Sequence, residues 1–573
     1  MVGWLKPERA FLMSAHPWQR TKEKTGNLCC SGLILCSQAK WSKTRQPLST
    51  VQTDAVFQRR AMSNTEIELK LLLPGADASE IEGRLRGLPV LARRKSQSQW
   101  LWNRYFDTPE ETLREQRSAL RLRCVSDAPW KSVMPGFVPD GEWIQTFKSA
   151  GTSLGGLSER GEWESRVTIG SLNETALRKT PWSHLDADGH LFAALRPCFE
   201  TRCRRTTWQL QRYRGASIEV AFDVGEIVAE GRSLPILELE LELKSGPEES
   251  LFALAQTIAH SIAVLPCDAS KAERGYQLTR GRTQAPRRAQ MIHLDKRVSP
   301  IEAAQAAFAE TYEHLTRNLS GLTASDDPEL VHQARVGWRR WRSAKWLFSP
   351  WLPRMPEFEG LKPLLNELGL LRDLDVLRCD TLASWLPAFL DGGNERLRIA
   401  DKAIARIDQA RSHRRAQLRS QLASPVTGAA LVGLSQAMFE LAGVQSTPAV
   451  ARKTKGKKAK TSQWAHDRMT TLRRRLERSL KASAEFGAPV ELIHRSRLQA
   501  KRARYAAEML GVVLPPETGS QLARKATAVQ TRVGADRDLR QAITLLRSLN
   551  ADASLIAFLQ GVLTGRSEVQ ITH

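Results

Sequence analysis

The chain changes its hydrophobic rhythm once, near residue 299. Before that point apolar and charged residues alternate with a period of two, the signature of strands with unlike faces. Glu66-Ile67-Glu68-Leu69-Lys70 opens the series, and Leu237-Glu238-Leu239-Glu240-Leu241-Glu242-Leu243-Lys244 is its longest run. Between them lie Leu120-Arg121-Leu122-Arg123, Trp143-Ile144-Gln145-Thr146-Phe147-Lys148, Glu162-Trp163-Glu164, Arg202-Cys203-Arg204 and Ile218 to Asp223. Each predicts an antiparallel strand, with short helices such as the stretch near Ala76 to Leu88 between them. From Ser299 onward Arg, Ala, Leu and Glu recur at helical spacing. Ser299-Pro300-Ile301-Glu302 predicts a helix start, with a cap, a proline at N1 and an acid at N3.

The helical half contains an internal repeat. His332, Arg335, Arg339 and Arg342 recur at the same offsets as His494, Arg497, Lys501 and Arg504. Spacings of 3, 4 and 3 put each set on one stripe of a helix. An Arg-Asp pair follows each copy, Arg372-Asp373-Leu374-Asp375 and then Arg537-Asp538-Leu539. A solvated face is the plain explanation of a charged stripe. Here like charges stack with few acids at i,i+4, which points instead to a polyanion. The paired histidines fit either phosphate donors or helix-packing residues.

Charge sharpens this picture. The 573 residues carry a formal net charge of +24, which calls for an anionic partner. The 8 cysteines show no CxxC pairs or regular spacing, so neither a zinc site nor a disulfide framework follows; a reducing cytoplasm is the simple setting. No apolar run near the ~18–20 residues of a membrane span stands out. Aromatic residues are not regularly interleaved with the basic stripes, which disfavours nucleic acid. Residues 1–61 lack periodicity, and Met62 stands directly before the first strand. Translation is expected to start at Met62, with 1–61 a non-native or disordered extension.

The segregation of charge on the strands decides between sheet types. An open sheet with a wet face explains each strand singly. It does not explain why glutamates pair with glutamates and cations with cations. A closed barrel with a polar lumen does, because interior and exterior residues alternate on every strand. Glutamates in such a lumen suit a hard cation, Mg²⁺ or Mn²⁺. Arginines and lysines suit phosphate oxygens. No Ser-His-Asp or Cys-His arrangement suggests a covalent nucleophile, and a glutamate that activates water is the preferred base.

The Glu66-x-Glu68-x-Lys70 opening resembles the signature of the CYTH, or triphosphate tunnel metalloenzyme, superfamily. Tyr105-Phe106-Asp107-Thr108-Pro109, Leu120 to Arg123, Thr146-Phe147-Lys148, Leu237 to Lys244 and Ser270 to Tyr276 follow in that family's order. The resemblance covers 62–282 and implies a barrel that hydrolyses a triphosphate. It implies Glu66 and Glu68 beside the metal, with Glu238 and Glu240 opposite. Lys70, Arg121, Arg123, Lys148, Arg202 and Arg204 would grip the phosphates, with the Arg202 to Arg205 register open by one residue. Glu162 and Glu164 would complete the acidic side or orient the water. Lys271 is either a further phosphate ligand or a solvent lysine. The helical repeat over 299–567 resembles the CHAD domain, a bundle of two pseudo-symmetric halves. That implies long-chain polyphosphate held by the two stripes. Residues 445–465 read as a disordered basic loop between the halves.

The expected fold is therefore an α+β multidomain chain. An antiparallel tunnel barrel spans 62–282, a linker 283–298 and an all-α bundle 299–567. The expected function is hydrolysis of inorganic tripolyphosphate. The alternatives are a thiamine or nucleoside triphosphatase, an adenylate cyclase of the same fold, or a polyphosphate-binding protein without catalysis.

Overall fold

The computed structural model describes residues 64–569 except 76, 130–138, 169, 283–284, 296–297, 353–357, 444–462, 484–488, 512 and 515. The expectations for 1–61 lie outside the described residues, as does most of the basic loop at 445–465. Residues 463–465 already belong to a helix.

Eight long strands form the barrel: β1 (Thr65–Leu72), β2 (Ser96–Asp107), β3 (Ala119–Ser126), β4 (Glu142–Leu154), β5 (Leu157–Arg166), β6 (Arg196–Tyr213), β7 (Ala216–Ala229) and β8 (Arg232–Ser245). They run antiparallel in the order β5-β4-β3-β2-β6-β7-β8-β1, and pairing of β1 with β5 closes the ring. Tyr105 to Asp107 form the end of β2.

The apolar core of this barrel lies outside the strands. Leu69 and Leu71, Val220 and Phe222, and Leu239 and Leu241 point away from the lumen. They pack under α1 (Ala78–Gly87), through Ile81 and Leu85, and under α2 (Glu249–Ala259). A third helix, α3 (Lys271–Thr279), plugs one end of the ring. Gly275 permits this: a Cβ there would meet the Phe199 ring at 2.2 Å.

The helical half runs α4 (Pro300–Leu322), α5 (Pro328–Phe348), α6 (Lys362–Asp375), α7 (Leu382–Leu390), α8 (Asn394–Leu422), α9 (Pro425–Gly443), α10 (Gln463–Ser483), α11 (Val490–Leu510), α12 (Pro516–Ser548) and α13 (Ala553–Val569). The expected start of α4 is present as a full capping box between Ser299 and Glu302. The linker ahead of it is pinned to α4, where Arg287 N–H donates to Asn318 Oδ1 at 3.1 Å.

One helix departs from the sequence expectation. Among the described residues, α9 alone is long and apolar enough to cross a membrane, with a mean hydropathy of 1.2. Its apolarity serves packing: Val432 joins the barrel's outer core and Phe439 lies 5.2 Å from Phe252 of α2. Gln256 of α2 also donates to the Ala429 carbonyl at 3.0 Å. Barrel and bundle thus share apolar contacts rather than a bare linker.

Candidate active site in the barrel lumen

Strand register sets the lumen. Residues paired directly across an antiparallel ladder share a face. Glu66 sits opposite Arg160 and Glu68 opposite Glu242. Lys70 sits opposite Glu240, Lys148 opposite Glu162 and Arg205 opposite Asp223. All of these line a cavity of about 250 Å³ inside the ring. Arg121, Arg123 and Glu164 line it too, so eight expected strand residues and Glu240 converge there.

One wall is a lattice of opposite charges. Lys148 Nζ donates to both oxygens of Glu66, at 2.9 and 2.7 Å, and lies 3.0 Å from Glu162. Arg160 donates to Glu66 and to Glu68, each at 2.9 Å. Burial alone would raise the carboxyl pKa of Glu66, Glu162 and Glu164. The cations outweigh it: Lys148 and Arg160 hold Glu66 below the usual range, Lys148 and Arg121 hold Glu162 there, and Arg121 and Arg123 hold Glu164. Burial likewise opposes the Lys70 ammonium, yet Glu68, Glu240 and Glu238 keep its pKa above the ordinary lysine value.

Next to that wall, β7 and β8 carry the acidic trio Asp223, Glu238 and Glu240, whose ligand oxygens all lie within 4.8 Å of one another. Lys271 of α3 reaches in among them, 2.7 Å from Asp223 and 2.9 Å from Glu240, and it also pairs with Glu238. The plug helix therefore places Lys271 in the lumen, and the solvent reading is set aside. The trio's three carboxylates are the donor chemistry of a hard divalent cation, so these residues fit the expected metal. Glu66 and Glu68 stand on β1, the strand paired with β8, against Lys148, Arg160 and Lys70. Glu238 is fully buried behind Lys271 and Arg274.

Arg202 and Arg204 are corrections. They face outward: Arg202 donates to Glu200 at 2.9 Å and Arg204 pairs with Glu82 of α1. Thr201, Cys203 and Arg205 take the inner face of β6. A shift of one residue swaps every side chain between faces, and the apolar Trp208 and Leu210 fix the even positions outside. Arg205 donates to Asp223 at 2.7 and 2.6 Å.

Arg160, Asp223 and Arg205 are thus lumen residues that sequence reasoning did not assign. Arg160 was legible, two positions before Glu162 on the same face. Asp223 shares a face with Glu219, and that face is the lumen. Arg123 is the least compensated cation: burial, then Arg121 and Arg205, lower its pKa. It donates from Nε only to Asn103, at 2.9 Å.

In the bundle the two stripes meet. Arg335 and Arg339 of α5 lie close enough to Lys501 of α11 to repel its charge. Burial first, then Arg339, Arg497, Arg537 and Arg335, push Lys501 down to about 7. Arg372 and Arg537, from the two Arg-Asp motifs, join the cluster, and Arg335 is lowered by burial first, then by Arg339 and by these two. His332 is half-buried, with its pKa lowered by burial and by Arg372. Arg342 is exposed and repels Arg502, while Arg504 lies 3.7 Å from Glu508. The His494 side chain lies outside the described residues. Asp375 is buried and accepts from Arg411 at 2.9 Å.

Trp338, Trp341 and Trp346 alternate with these cations along a cleft of about 870 Å³, contrary to the sequence reading. Trp346 is engaged in packing, with Arg468 4.2 Å over its ring.

A closed antiparallel barrel with a charged lumen, followed by a helical domain with facing basic stripes, defines the class. Residues 64–276 match the CYTH domain family model and residues 306–547 the CHAD domain model, so the chain belongs to the proteins that carry a CYTH domain followed by a CHAD domain. Over 215 residues it is 32% identical to an inorganic triphosphatase of Haemophilus influenzae, covering 37% of this chain and 54% of that protein. The match thus spans about half the length of that relative. The crystal structure of a CHAD domain from Ricinus communis shares 27% identity and covers 50% of this chain and 92% of its own, with a TM-score of 0.42. A Hippeastrum protein described as having a dominant triphosphatase activity shares 18% identity over 38% of this chain and 96% of its own, with a TM-score of 0.28.

Proposed function

We propose that the barrel is a metal-dependent inorganic triphosphatase that cleaves tripolyphosphate to pyrophosphate and phosphate. The observation that carries this reading is the convergence of Arg121, Arg123 and Arg205 beside a wall of carboxylates in one buried lumen. Burial and mutual repulsion make Arg123 costly to hold as it stands; a polyanion between the walls relieves that cost. The curated relative's name supports an inorganic substrate.

Phosphoryl transfer requires positioning and charge neutralisation more than covalent chemistry. Arg121, Arg123, Arg205, Lys70 and Lys148 bind the phosphate oxygens and hold the chain in line. Water attacks the terminal phosphorus, a new P–O bond forms, and the anhydride P–O bond breaks. Its electron pair leaves on pyrophosphate. Glu162 or Glu164, both ionised at neutral pH, accepts the water's proton. Asp223, Glu238 and Glu240 would hold Mg²⁺ or Mn²⁺, which would supply neutralisation of phosphate charge. Lys271 positions the three carboxylates.

The bundle is a polyphosphate-binding domain in this reading, and the two facing stripes support it. Lys501, driven down by burial and by its cationic neighbours, regains its proton most readily beside a polyanion. A cytoplasmic setting fits the reduced thiols that the scattered cysteines imply.

Phosphate release from tripolyphosphate, ATP and thiamine triphosphate by the full chain, with Mg²⁺ or Mn²⁺, tests the reading. Fastest metal-dependent release from tripolyphosphate is expected. Preference for either organic triphosphate would overturn the inorganic assignment.

A further inference from the structure

The lumen does not end at the plug helix. A second cavity of about 560 Å³ opens beside α3 and shares Glu68, Lys70, Lys148 and Arg160 with the tunnel wall. A linear phosphate chain longer than the tunnel has room to run on into it. The helical domain builds part of this mouth, because Glu313 and Arg317 of α4 line it together with Glu273 of α3.

Beyond the shared residues the mouth is more acidic than the tunnel, whose lining balances eight cations against eight carboxylates. There it carries four carboxylates, Glu115, Asp268, Glu273 and Glu313, against the guanidiniums of Arg114, Arg117 and Arg317. Two of those cations are already spent on carboxylates. Arg114 pairs with Glu111 at 3.1 Å. Arg317 is clamped between Glu273, at 3.2 Å from Nη2, and Glu313, at 2.7 Å. Arg117 donates to the Gly151 carbonyl at 2.9 Å. Asp268 Oδ2 is buried with no hydrogen-bond partner. At the far end of the tunnel Glu219 and Glu242 face Lys244, so that exit is acid-rich as well.

We infer that the Glu273–Arg317–Glu313 collar, two of its three residues supplied by the helical domain, sets the chain-length limit of the tunnel by repelling a fourth phosphate. The inference rests on the triphosphatase reading. It makes Glu273 and Glu313 specificity-determining residues: the arginines and lysines of the tunnel accommodate three phosphates, and the carboxylates penalise any unit that projects between α3 and α4.

The test is the ratio of kcat/KM for linear tetrapolyphosphate to that for tripolyphosphate, measured on the full chain. In Glu313→Gln and Glu273→Gln this ratio rises by about tenfold, the scale of one close like-charge repulsion removed. In Arg317→Gln, which leaves Glu273 without its guanidinium partner and Glu313 with Arg287 alone, it falls. A residue that only supports the fold would lower both substrates together and leave the ratio alone, and that result overturns the collar. Equal turnover of both substrates by the unaltered protein overturns it as well. No turnover of either would sink the triphosphatase reading and the collar with it. Turnover of tripolyphosphate with unmoved ratios in all three variants sinks the collar alone.

Discussion

Arg204 and Arg205 are neighbours with opposite fates, and they show how much one register position decides. Arg205 faces the lumen against Asp223, whereas Arg204 faces α1. Arg205→Ala and Arg123→Ala are expected to lower the rate of phosphate release by about 10²–10³, the usual loss when one charge partner of a transition state is removed. Arg204→Ala breaks one partly exposed ion pair and costs about 1 kcal/mol or less, with little effect on rate. Equal losses in Arg204→Ala and Arg205→Ala would show that the register is wrong. Acid is expected to act on the same lattice. Glu66, Glu162 and Glu164 have folded pKa values below the unfolded value of about 4.3. Their stabilisation is complete above that value and is lost as the pH falls through the folded values. A thermal midpoint that holds between pH 7 and 5 and then drops toward pH 3 is expected. A midpoint unchanged at pH 3 would count against the lattice.

Elements bring together what residues cannot. Each basic stripe is legible on its own helix, but only the packing of α5 beside α11 sets one against the other. Lys501 records that juxtaposition. Its unfolded pKa is about 10.4, and its folded value is pushed down to about 7 by burial and four arginines. The charged form is disfavoured in the folded protein, so the penalty is fully present below about pH 7 and is relieved as the pH rises toward about 10.4. A polyanion reverses this by favouring the ammonium. Binding of long-chain polyphosphate at pH 8 is expected to take up a proton, read by calorimetry in two buffers of different ionisation enthalpy. Lys501→Arg should abolish the uptake. No uptake in the unaltered protein would mean that Lys501 does not meet the anion.

At the scale of the molecule, the two domains are joined through the barrel's own working parts. Gly155, in the turn between β4 and β5, adopts φ +66°, and a Cβ there would lie 3.1 Å from Ser435 and 3.2 Å from Tyr312. That hairpin carries Lys148, Arg160, Glu162 and Glu164. Gly155→Val is expected to cost about 1–3 kcal/mol, from a β-branched residue forced to positive φ and crowded against α4 and α9. The measurement is denaturant unfolding of the full chain, and a loss below a few tenths would remove the docking of the turn as a constraint. Chelation separates the domains in another way. EDTA should abolish phosphate release while leaving polyphosphate binding to the stripes unchanged; loss of both would tie the bundle to the metal as well.

Much of this was written in the chain itself. The alternation of Glu66 to Lys70 and of Leu237 to Lys244 determined that strands would carry one apolar and one charged face, because side-chain direction along a strand is a local property. The repeat of the stripes and the capping box at Ser299 were local for the same reason. Tertiary structure alone decided the rest. Which of Arg202 to Arg205 enters the lumen depends on ladder register and on Trp208 packing outside. That Lys271 reaches the acidic trio depends on α3 closing the ring. That Glu313 and Arg317 border the tunnel depends on a helix that begins more than 130 residues beyond β5 docking at its mouth. Alternation fixes which side chains share a face; only closure and docking bring distant faces within the few ångströms over which charges act.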